Sequence, residues 1–378
     1  MKRKKTLRPG LIVSLFCVVC FLIVPLAGAE EETEVNYEKI HELYDKDEFT
    51  VSLLDNNLSA ENIDEITEAK ISEFESRFGQ YLPAHYSSTP YVECGDEEEI
   101  VAYVFRVLPD GSTMAYSEIE SKDAAASNMD NLSERVCSWI NDELDEKTVQ
   151  SLDNLDLRSE WSCEPELVQE HTTSRDYPGI GRARLTTSWF RDNQEDLDTK
   201  DFFYTKTALR TVPGIELSGY EPYRNHCPSV EIDSAYSLGS LYEHLPGACV
   251  KDADPQTTAS ETSFGISLGY WNCRLSSLIP DHGVERHNPS WEKFVWDETF
   301  SFWSSCASSS FDFKPGVYAK CTQSSARDGN TYVISRVTAD CEEAWAIIDD
   351  GILSPAPLGN NYWGHIAKVR WNNGYVRV

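Results

Sequence analysis

The sequence predicts a two-part protein, in which an acidic α+β module precedes a mainly antiparallel, sandwich-like β domain stapled by disulfide bonds. In the first part of the chain, segments with apolar residues at helical spacing alternate with segments at strand spacing. In the second part, apolar residues recur only in short strand-like segments separated by turn signals. Six cysteines lie beyond residue 226, and nine of the ten tryptophans lie from Trp161 onward. We expect a signal peptide at 1–29, the α+β module at 30–165, a linker at 166–181 and the β domain at 182–378.

The first residues predict export. Five basic residues lie within the first eight positions, and an almost wholly apolar run from Leu11 to Leu26 follows. The small residues Ala27, Gly28 and Ala29 come next, and this order is typical of a cleaved signal peptide. We therefore expect a secreted or cell-surface protein that begins after Ala29. The alternative is a retained anchor, because the apolar run is nearly long enough to span a bilayer.

The charge of the chain excludes one class of partner. The formal net charge is −30 and the sequence pI is about 4.6. Nucleic acids and anionic membranes attract a positive protein face. We therefore expect no nucleic-acid partner and no membrane binding driven by charge. The acidic surface is either simply solvated or binds cations.

The cysteine usage agrees with export. Nine of the eleven cysteines follow the signal segment, and none of them has the C-x-x-C spacing of a zinc or redox motif. In an oxidising compartment such cysteines form disulfides. Because nine is an odd number, one thiol stays unpaired or bonds another chain. The predicted disulfide cysteines are Cys94, Cys137, Cys163, Cys227, Cys249, Cys273, Cys306, Cys321 and Cys341.

The α+β module is predicted to contain one long amphipathic helix from Ala60 to Phe78. Ser59 is a suitable N-cap, and Gly79 is suited to end the helix. The spacing of the apolar residues predicts which side chains face the core. These residues are Ile63, Ile66, Ile71, Phe74 and Phe78.

A hairpin and a second helix are predicted to complete the module. Strands at 100–108 and 112–119 flank Pro109-Asp110-Gly111, where proline fixes one dihedral angle and glycine accepts a positive one. Apolar residues at helical spacing then predict a helix over 122–144.

The β domain is predicted to be built around a central strand over 262–273, where Phe264, Ile266, Leu268 and Tyr270 alternate with small or polar residues. Other segments combine aromatic or β-branched residues with turn signals. They predict strands at 182–191 and 202–212, a hairpin of 317–322 with 332–338, a short helix at 342–350 capped by Gly351, and a last hairpin of 365–371 with 375–378.

One motif in this domain suggests hydrolysis. Gly265-Ile266-Ser267-Leu268-Gly269 matches the G-x-S-x-G elbow, in which a serine nucleophile stands between a buried strand and a helix. The residues before it are polar and no helical pattern follows, so we expect an ordinary strand. If Ser267 were a nucleophile, the base would be His282, His287 or His365, oriented by an acid such as Asp297.

Two groups of residues are candidate metal ligands. Asp192, Asp196 and Asp198 crowd one turn, and calcium prefers several hard oxygens from a flexible loop. His282 and His287 suit zinc by type, although their spacing matches no zinc motif and we expect an exposed loop there. We expect no resident cofactor, with calcium at the aspartates as the alternative.

The aromatic residues and the sequons indicate surface roles. Trp291 and Trp303 are the candidates for exposed ligand-binding side chains among the clustered aromatics, most of which we expect in the core. Asn57 and Asn131 begin N-x-S sequons, so we expect a glycoprotein. Asn57, which we place in a loop, is the better acceptor, because Asn131 falls inside a predicted helix.

These observations favour a non-enzymatic binding or adhesion protein whose partner is a glycan or a protein at the cell surface. The first alternative is a pore-forming protein, because Thr257–Tyr270 resembles a membrane-inserting strand in its alternation of apolar with small or polar residues. A membrane is a partner only under that alternative. The second alternative is a secreted hydrolase that uses Ser267.

Overall fold

The computed structural model describes residues 37–82, 88–95, 98–121, 129–157, 165–191, 200–219, 221–247, 249–254, 266–268, 271–273, 282–287, 292–322, 330–358 and 361–370. The helices are α1 (Tyr37–Leu43), α2 (Ala60–Phe78), α3 (Met129–Trp139), α4 (Asp145–Leu157) and α5 (Gly214–Ser218). Short 3₁₀ turns lie at Gly79–Tyr81 and Cys306–Ser308, and a π-helical turn at Ile140–Leu144 joins α3 to α4.

The described residues form twenty-one strands. These are β1 (Thr50–Leu58), β2 (Ser88–Glu93), β3 (Glu98–Val107), β4 (Thr113–Ser121), β5 (Glu166–Tyr177), β6 (Gly181–Arg191), β7 (Lys200–Pro213), β8 (Arg224–Asn225), β9 (Ser229–Asp233), β10 (Glu243–His244), β11 (Cys249–Asp254), β12 (Ile266–Leu268), β13 (Trp271–Cys273), β14 (His282–His287), β15 (Lys293–Phe300), β16 (Phe311–Phe313), β17 (Gly316–Thr322), β18 (Thr331–Asp340), β19 (Trp345–Asp349), β20 (Ile352–Pro355) and β21 (Tyr362–Arg370).

Most of the strands form two large sheets. Sheet A has nine strands in the order β1-β3-β4-β5-β6-β7-β17-β11, with β16 also paired to β7. Sheet B has seven strands in the order β14-β15-β9-β18-β21-β2, with β10 beside β18. All these pairs are antiparallel except β4–β5 and β10–β18. Side chains of β5, β6 and β7 contact side chains of β18 and β21, so the sheets face each other. The fold is β-rich, as predicted.

The predicted linker at 166–181 is wrong. Most of it is strand β5, which lies inside sheet A between β4 and β6. Thr113–Ile119 of β4 pair in parallel with Gln169–Arg175 of β5, so the two predicted domains share one sheet. Parallel neighbours need a long crossover, and α3 and α4 lie in this connection. The described residues, from Tyr37 to Arg370, belong to one compact unit.

The predictions of the first helix and of the hairpin are confirmed, whereas the second helix, predicted over 122–144, is described from Met129 and continues through the π-helical turn and α4 to Leu157. Helix α2 has the predicted bounds, and the Ser59 side chain accepts a hydrogen bond from the backbone N–H of Asn62. Strands β3 and β4 form the predicted hairpin, with Gly111 at a φ of 85°. One predicted core residue is wrong, because Ile66 is 38% exposed and Thr67 is buried in its place.

Three predictions for the later strands are wrong. The central strand is a small hairpin of its own, since β12 pairs only with β13 within the described residues. The hairpin of 317–322 with 332–338 does not form, because β17 lies in sheet A and β18 in sheet B. The helix at 342–350 is strand β19, which turns through Asp350 and Gly351 into β20.

The strands at 182–191 and 202–212 are confirmed as β6 and β7. Strand β21 supplies the first half of the predicted last hairpin. Between Gly364 and Val369 it is paired on both sides, with β18 on one side and β2 on the other. The returning strand at 375–378 lies outside the described residues.

The predicted disulfides have no support among the cysteines whose side chains are described. These are Cys94, Cys137, Cys227, Cys249, Cys306 and Cys341, and no two of them are bonded to each other. Cys341 is fully buried, and this burial raises the pKa of its thiol to about 12. Cys273 and Cys321 lie in β13 and β17, and Cys163 lies outside the described residues.

An aromatic cluster, formed by Phe49, Phe74 and Phe78, anchors α2 to the rest of the fold. The Phe49 ring meets the Phe74 ring edge-on at 5.2 Å and the Phe78 ring at 5.6 Å. Each of the three side chains is at most 1% exposed. This cluster is held by apolar burial, which stabilises roughly in proportion to the area removed from water.

Candidate functional site

Trp303 is the most exposed large apolar side chain of the described residues, at 75% exposure. By contrast, Trp189, Trp296, Trp345 and Trp363 are fully buried. The prediction that most of the clustered aromatics are core residues therefore holds for Trp296, and Trp303 is exposed as predicted. Trp291, the other predicted ligand-binding tryptophan, lies outside the described residues.

The Trp303 side chain is supported by its neighbours. We use the name Trp303 platform for Trp303, Phe302 and Arg224. The Phe302 ring meets the indole edge-on, with ring centroids 5.1 Å apart and an angle of 85°. The Arg224 guanidinium carbon lies 5.3 Å from the Phe302 centroid and 5.7 Å from the Trp303 centroid. An exposed indole held by two partners loses little conformational entropy when a ligand stacks on it.

Two short elements position the platform. Phe302 and Trp303 follow the end of β15, and Arg224 begins β8. The Arg224 guanidinium donates to the Ser308 hydroxyl at 2.9 Å, and the fully buried Asn225 amide donates to the carbonyls of Cys306 and Ser309. These hydrogen bonds tie the serine-rich turn to β8, so the aromatic rings and the guanidinium are held by a common scaffold.

The surface beside β8 is also apolar. Strand β8 pairs with β19, which continues the small sheet into the β19–β20 hairpin. Ile348, Leu353 and Ile352 of this hairpin are 38%, 42% and 68% exposed. The cross-strand pair of Ile348 with Leu353 places both side chains on one face.

A second feature lies between the two sheets and was missed by the sequence predictions. His171 of β5 and His365 of β21 stack face to face, with ring centroids 4.2 Å apart and an angle of 10°. Both are fully buried. We use the name imidazole layer for these two residues and the hydroxyls that bond them, Ser117, Thr173 and Thr187.

Hydrogen bonds run through the imidazole layer from one sheet to the other. The Ser117 hydroxyl lies 3.2 Å from Nε2 of His171 and also bonds the Thr173 hydroxyl. The Thr173 hydroxyl lies 2.7 Å from Nε2 of His365, and the Thr187 hydroxyl lies 3.0 Å from Nδ1 of His365. Nδ1 of His171 has no hydrogen-bond partner among the residues that the structure describes.

The environment of the imidazole layer disfavours charge. Burial lowers the pKa of His171 to about 3. The pKa of His365 lies well below its usual value, first because of burial and then because of the neighbouring His171. Both rings are therefore neutral at neutral pH.

An acidic cleft of about 300 Å³ opens beside β2, with Glu61, Glu93, Glu98 and Glu99 among its lining residues. Two of these carboxylates already have cationic partners, because Glu93 pairs with Arg336 at 2.6 Å and Glu98 pairs with Arg175. The cleft is thus partly neutralised by the chain itself.

The other candidate residues are not brought together. The Ser267 backbone lies in β12, which pairs antiparallel with the next strand, β13, so it lacks the strand-to-helix elbow of a serine nucleophile. His282 and His287 begin and end strand β14 instead of lying on a loop, and His365 is in the buried imidazole layer. Asp297 lies in β15.

No group of three or more possible metal ligands occurs among the described residues, and Asp192, Asp196 and Asp198 fall outside them. Asn131 is exposed on α3, in a helix as predicted, whereas Asn57 lies in β1 and not in the predicted loop.

Comparisons with known proteins identify no family. No protein-family model matches the chain, and no curated protein is significantly similar to it. Within the part of the chain that the structure describes, the helices are too short or too polar to cross a membrane.

Proposed function

We propose that this protein is exported and binds a neutral glycan at the cell surface through the Trp303 platform, without catalysing a reaction. The observation that carries the proposal is the contrast between Trp303, at 75% exposure, and four tryptophans at zero exposure. A chain that buries four other indoles this completely gains nothing for folding by leaving Trp303 outside. An exposed, supported aromatic ring is a common way to recognise a ligand.

The chemistry of the platform favours a sugar. The flat face of an indole packs against the C–H face of a pyranose ring, and such a contact needs no charge. The hydroxyls of Ser304, Ser308 and Ser309 already form hydrogen bonds within their own turn, so specificity would come from ring stacking and shape. The net charge of −30 disfavours polyanionic glycans, which leaves neutral ones.

A glycan array with the full chain tests the proposal. We expect saturable binding to a neutral glycan, and we expect Trp303→Ala to weaken it at least tenfold, because the stacking surface is lost. Leu241→Ala is the matched control, since Leu241 is 74% exposed and lies outside the platform. Equal binding by Trp303→Ala and the wild type would refute the platform. Binding to cell-surface proteins only, with no glycan retained, would refute the ligand class.

Export, disulfide formation and calcium binding belong to the same proposal. We propose cleavage after Ala29, glycosylation at Asn57 or Asn131, and disulfides among the nine remaining cysteines of the exported form. Intact mass of the secreted chain measures the first two. Thiol counting with and without reductant measures the third, and calorimetry with calcium tests Asp192, Asp196 and Asp198.

A membrane-acting protein is the second candidate, and the imidazole layer favours it. The polar hydrogen bonds of the layer can be replaced by hydrogen bonds to water, so this part of the interface costs less to open than an aliphatic part of the same size, although Trp189 and Trp363 also lie between the sheets. Dye release from zwitterionic vesicles, with detergent-resistant oligomers, would support it. The absence of dye release at both pH 7.5 and pH 5.5 would refute it.

A further inference from the structure

The imidazole layer differs from the rest of the core in what holds it together. Both histidines are fully buried, and hydroxyl groups of Ser117, Thr173 and Thr187 bond them within and across the sheets. A neutral imidazole can accept one hydrogen bond through its unprotonated nitrogen, whereas an imidazolium can only donate. Protonation therefore changes the bonding pattern that joins the sheets.

The stacking of the two rings makes a positive charge still less acceptable. The ring centroids are 4.2 Å apart, so one imidazolium would face its neutral partner at contact distance, and two would repel each other. Neither ring can reach water without movement of the surrounding strands, because both are at zero exposure.

The groups that face His171 carry no charge. Within sheet A its cross-strand neighbours are Ala115 of β4 and Thr187 of β6. Tyr103 of β3 meets its ring edge-on at 6.3 Å, and the Tyr103 hydroxyl is bonded to Thr67 of α2. Burial raises the pKa of Tyr103, so that phenol stays neutral.

The groups that face His365 are uncharged as well. Its neighbours in sheet B are Val92 of β2 and Val337 of β18, and across the sheets it meets His171 and the bonded hydroxyls. Charged residues along the same strands have their own partners, and Glu170, next to His171 on β5, accepts a hydrogen bond from the Ser188 hydroxyl. Lys368 of β21 pairs with Asp64 of α2, and Arg175 of β5 pairs with Glu98. Among the described residues, no carboxylate shifts the pKa of either ring towards the protonated form.

We propose that the imidazole layer is an acid-operated latch, which holds sheets A and B together while both rings are neutral and releases them locally when the rings take up protons. The released state is stabilised because each ring can then be hydrated and charged. This inference concerns regulation of the fold and does not depend on the glycan proposal.

The lowered pKa values of His171 and His365 determine in which direction, and over which pH range, release of the sheets depends on pH. A released histidine takes up protons below a pKa of about 6.5, whereas the closed layer keeps both rings neutral. The equilibrium constant for release therefore rises as the pH falls below 6.5, by up to about tenfold per pH unit for each histidine. His226 acts in the same direction, because burial lowers its pKa. Asp254 opposes it, since burial raises the pKa of that carboxyl to about 6.

Hydroxyl-radical footprinting of the full chain at pH 7.5 and pH 5.5 tests the latch. Trp189 and Trp363 report on the space between the sheets, because their indole N–H groups donate across it to Ser335 and Tyr177. Phe74 and Phe78 of the aromatic cluster are the internal control. We expect oxidation of the two indoles to rise severalfold at pH 5.5 while the two phenylalanines stay protected.

Variants assign the response to the histidines. His171→Gln removes one of the two protonation sites, so the pH-dependent rise should be reduced by up to about tenfold between pH 6.5 and pH 5.5. His41→Gln, which changes an exposed histidine of α1, should leave the rise unchanged. If His171→Gln does not fold, His365→Gln takes its place. The difference in oxidation between the two indoles and the two phenylalanines of the wild type tests the proposal in either case.

Two results would overturn the proposal. One is equal protection of Trp189 and Trp363 at both pH values. The other is a joint rise at the indoles and at Phe74 and Phe78, which would mean global unfolding and no local release.

Discussion

The aromatic cluster and the imidazole layer are both buried completely, yet they are held by different forces. Phe49, Phe74 and Phe78 gain stability by removing apolar area from water, and no step in that process involves a proton. His171 and His365 depend on directional hydrogen bonds and on remaining neutral. Two equally buried regions can therefore differ in what destabilises them. We expect the aromatic cluster to be destabilised by loss of side-chain volume and the imidazole layer by a fall in pH.

The largest expected effect is on the aromatic cluster. Phe74→Ala removes a ring that contacts both other rings and leaves a cavity, so we expect the free energy of unfolding to fall by about 3–5 kcal/mol. Urea unfolding at pH 7.5 and pH 6.5 measures it. The loss should be the same at both pH values, and a clearly larger loss at the lower pH would contradict the comparison.

The next effect is the pH dependence of the unmodified chain. Because the two buried histidines are neutral when folded and take up protons when unfolded, stability is retained above pH 6.5 and lost as the pH falls. We expect the free energy of unfolding to be about 3 kcal/mol lower at pH 5.5 than at pH 7.5, with Asp254 offsetting part of the loss. Urea titrations at half-unit steps measure this, and a flat profile would contradict it.

A smaller change in the free energy of unfolding is expected from removal of the Ser335 hydroxyl between the two sheets. The Ser335 hydroxyl accepts from the Trp189 indole at 2.8 Å and bonds the Thr205 hydroxyl at 2.8 Å. Ser335→Ala leaves two buried polar groups unsatisfied and should cost about 1–3 kcal/mol at pH 7.5. Ser301→Ala, at an exposed serine, controls for the loss of a hydroxyl. If Ser335→Ala were neutral in thermal unfolding, hydrogen bonding would not hold this part of the interface.

The smallest effect is expected on the outer side of α2. Ile66 is 38% exposed, so Ile66→Gln should change the free energy of unfolding by about 0.5 kcal/mol or less. The matched change Ile71→Gln places an amide in the core, where Ile71 is 5% exposed, and should cost several times more. Equal effects in urea unfolding would show that the exposure difference is unimportant.

The sequence predicts well where one local rule determines the structure. Helix α2 combines apolar spacing with the Ser59 cap, and both bounds are correct. The β3–β4 hairpin follows from the turn at Pro109-Asp110-Gly111. In each case the residues that define the element lie next to one another in the chain.

Prediction fails where the core is polar. Strand β5 was assigned to a linker because its inward positions include His171, Thr173 and Arg175, which give no apolar alternation. These residues are buried because their partners lie on distant strands such as β21. A strand whose inward side chains are polar cannot be recognised from hydrophobic periodicity. The only signal in the sequence of β5 is its run of histidine and threonine residues.

Long-range pairing explains the other failures. The turn signal between β17 and β18 predicts a hairpin, but β17 lies in sheet A and β18 in sheet B, and no local pattern reports a change of sheet. The β19–β20 hairpin was predictable, because Asp350-Gly351 is an Asp-Gly turn, with φ values of 47° and 82°. The exposure of Trp303 was predicted by composition, whereas its support by Arg224 required the fold.

The most direct test of the imidazole layer is an NMR titration of the full chain labelled at histidine, with His171 and His365 assigned from their glutamine variants. Between pH 8 and pH 5.5, we expect both imidazole signals to keep the chemical shifts of the neutral form and to lose intensity as a separate, protonated form grows. A continuous shift of either signal to the imidazolium position, in a chain whose Trp189 and Trp363 stay protected, would contradict it, because the closed layer would then accept a proton.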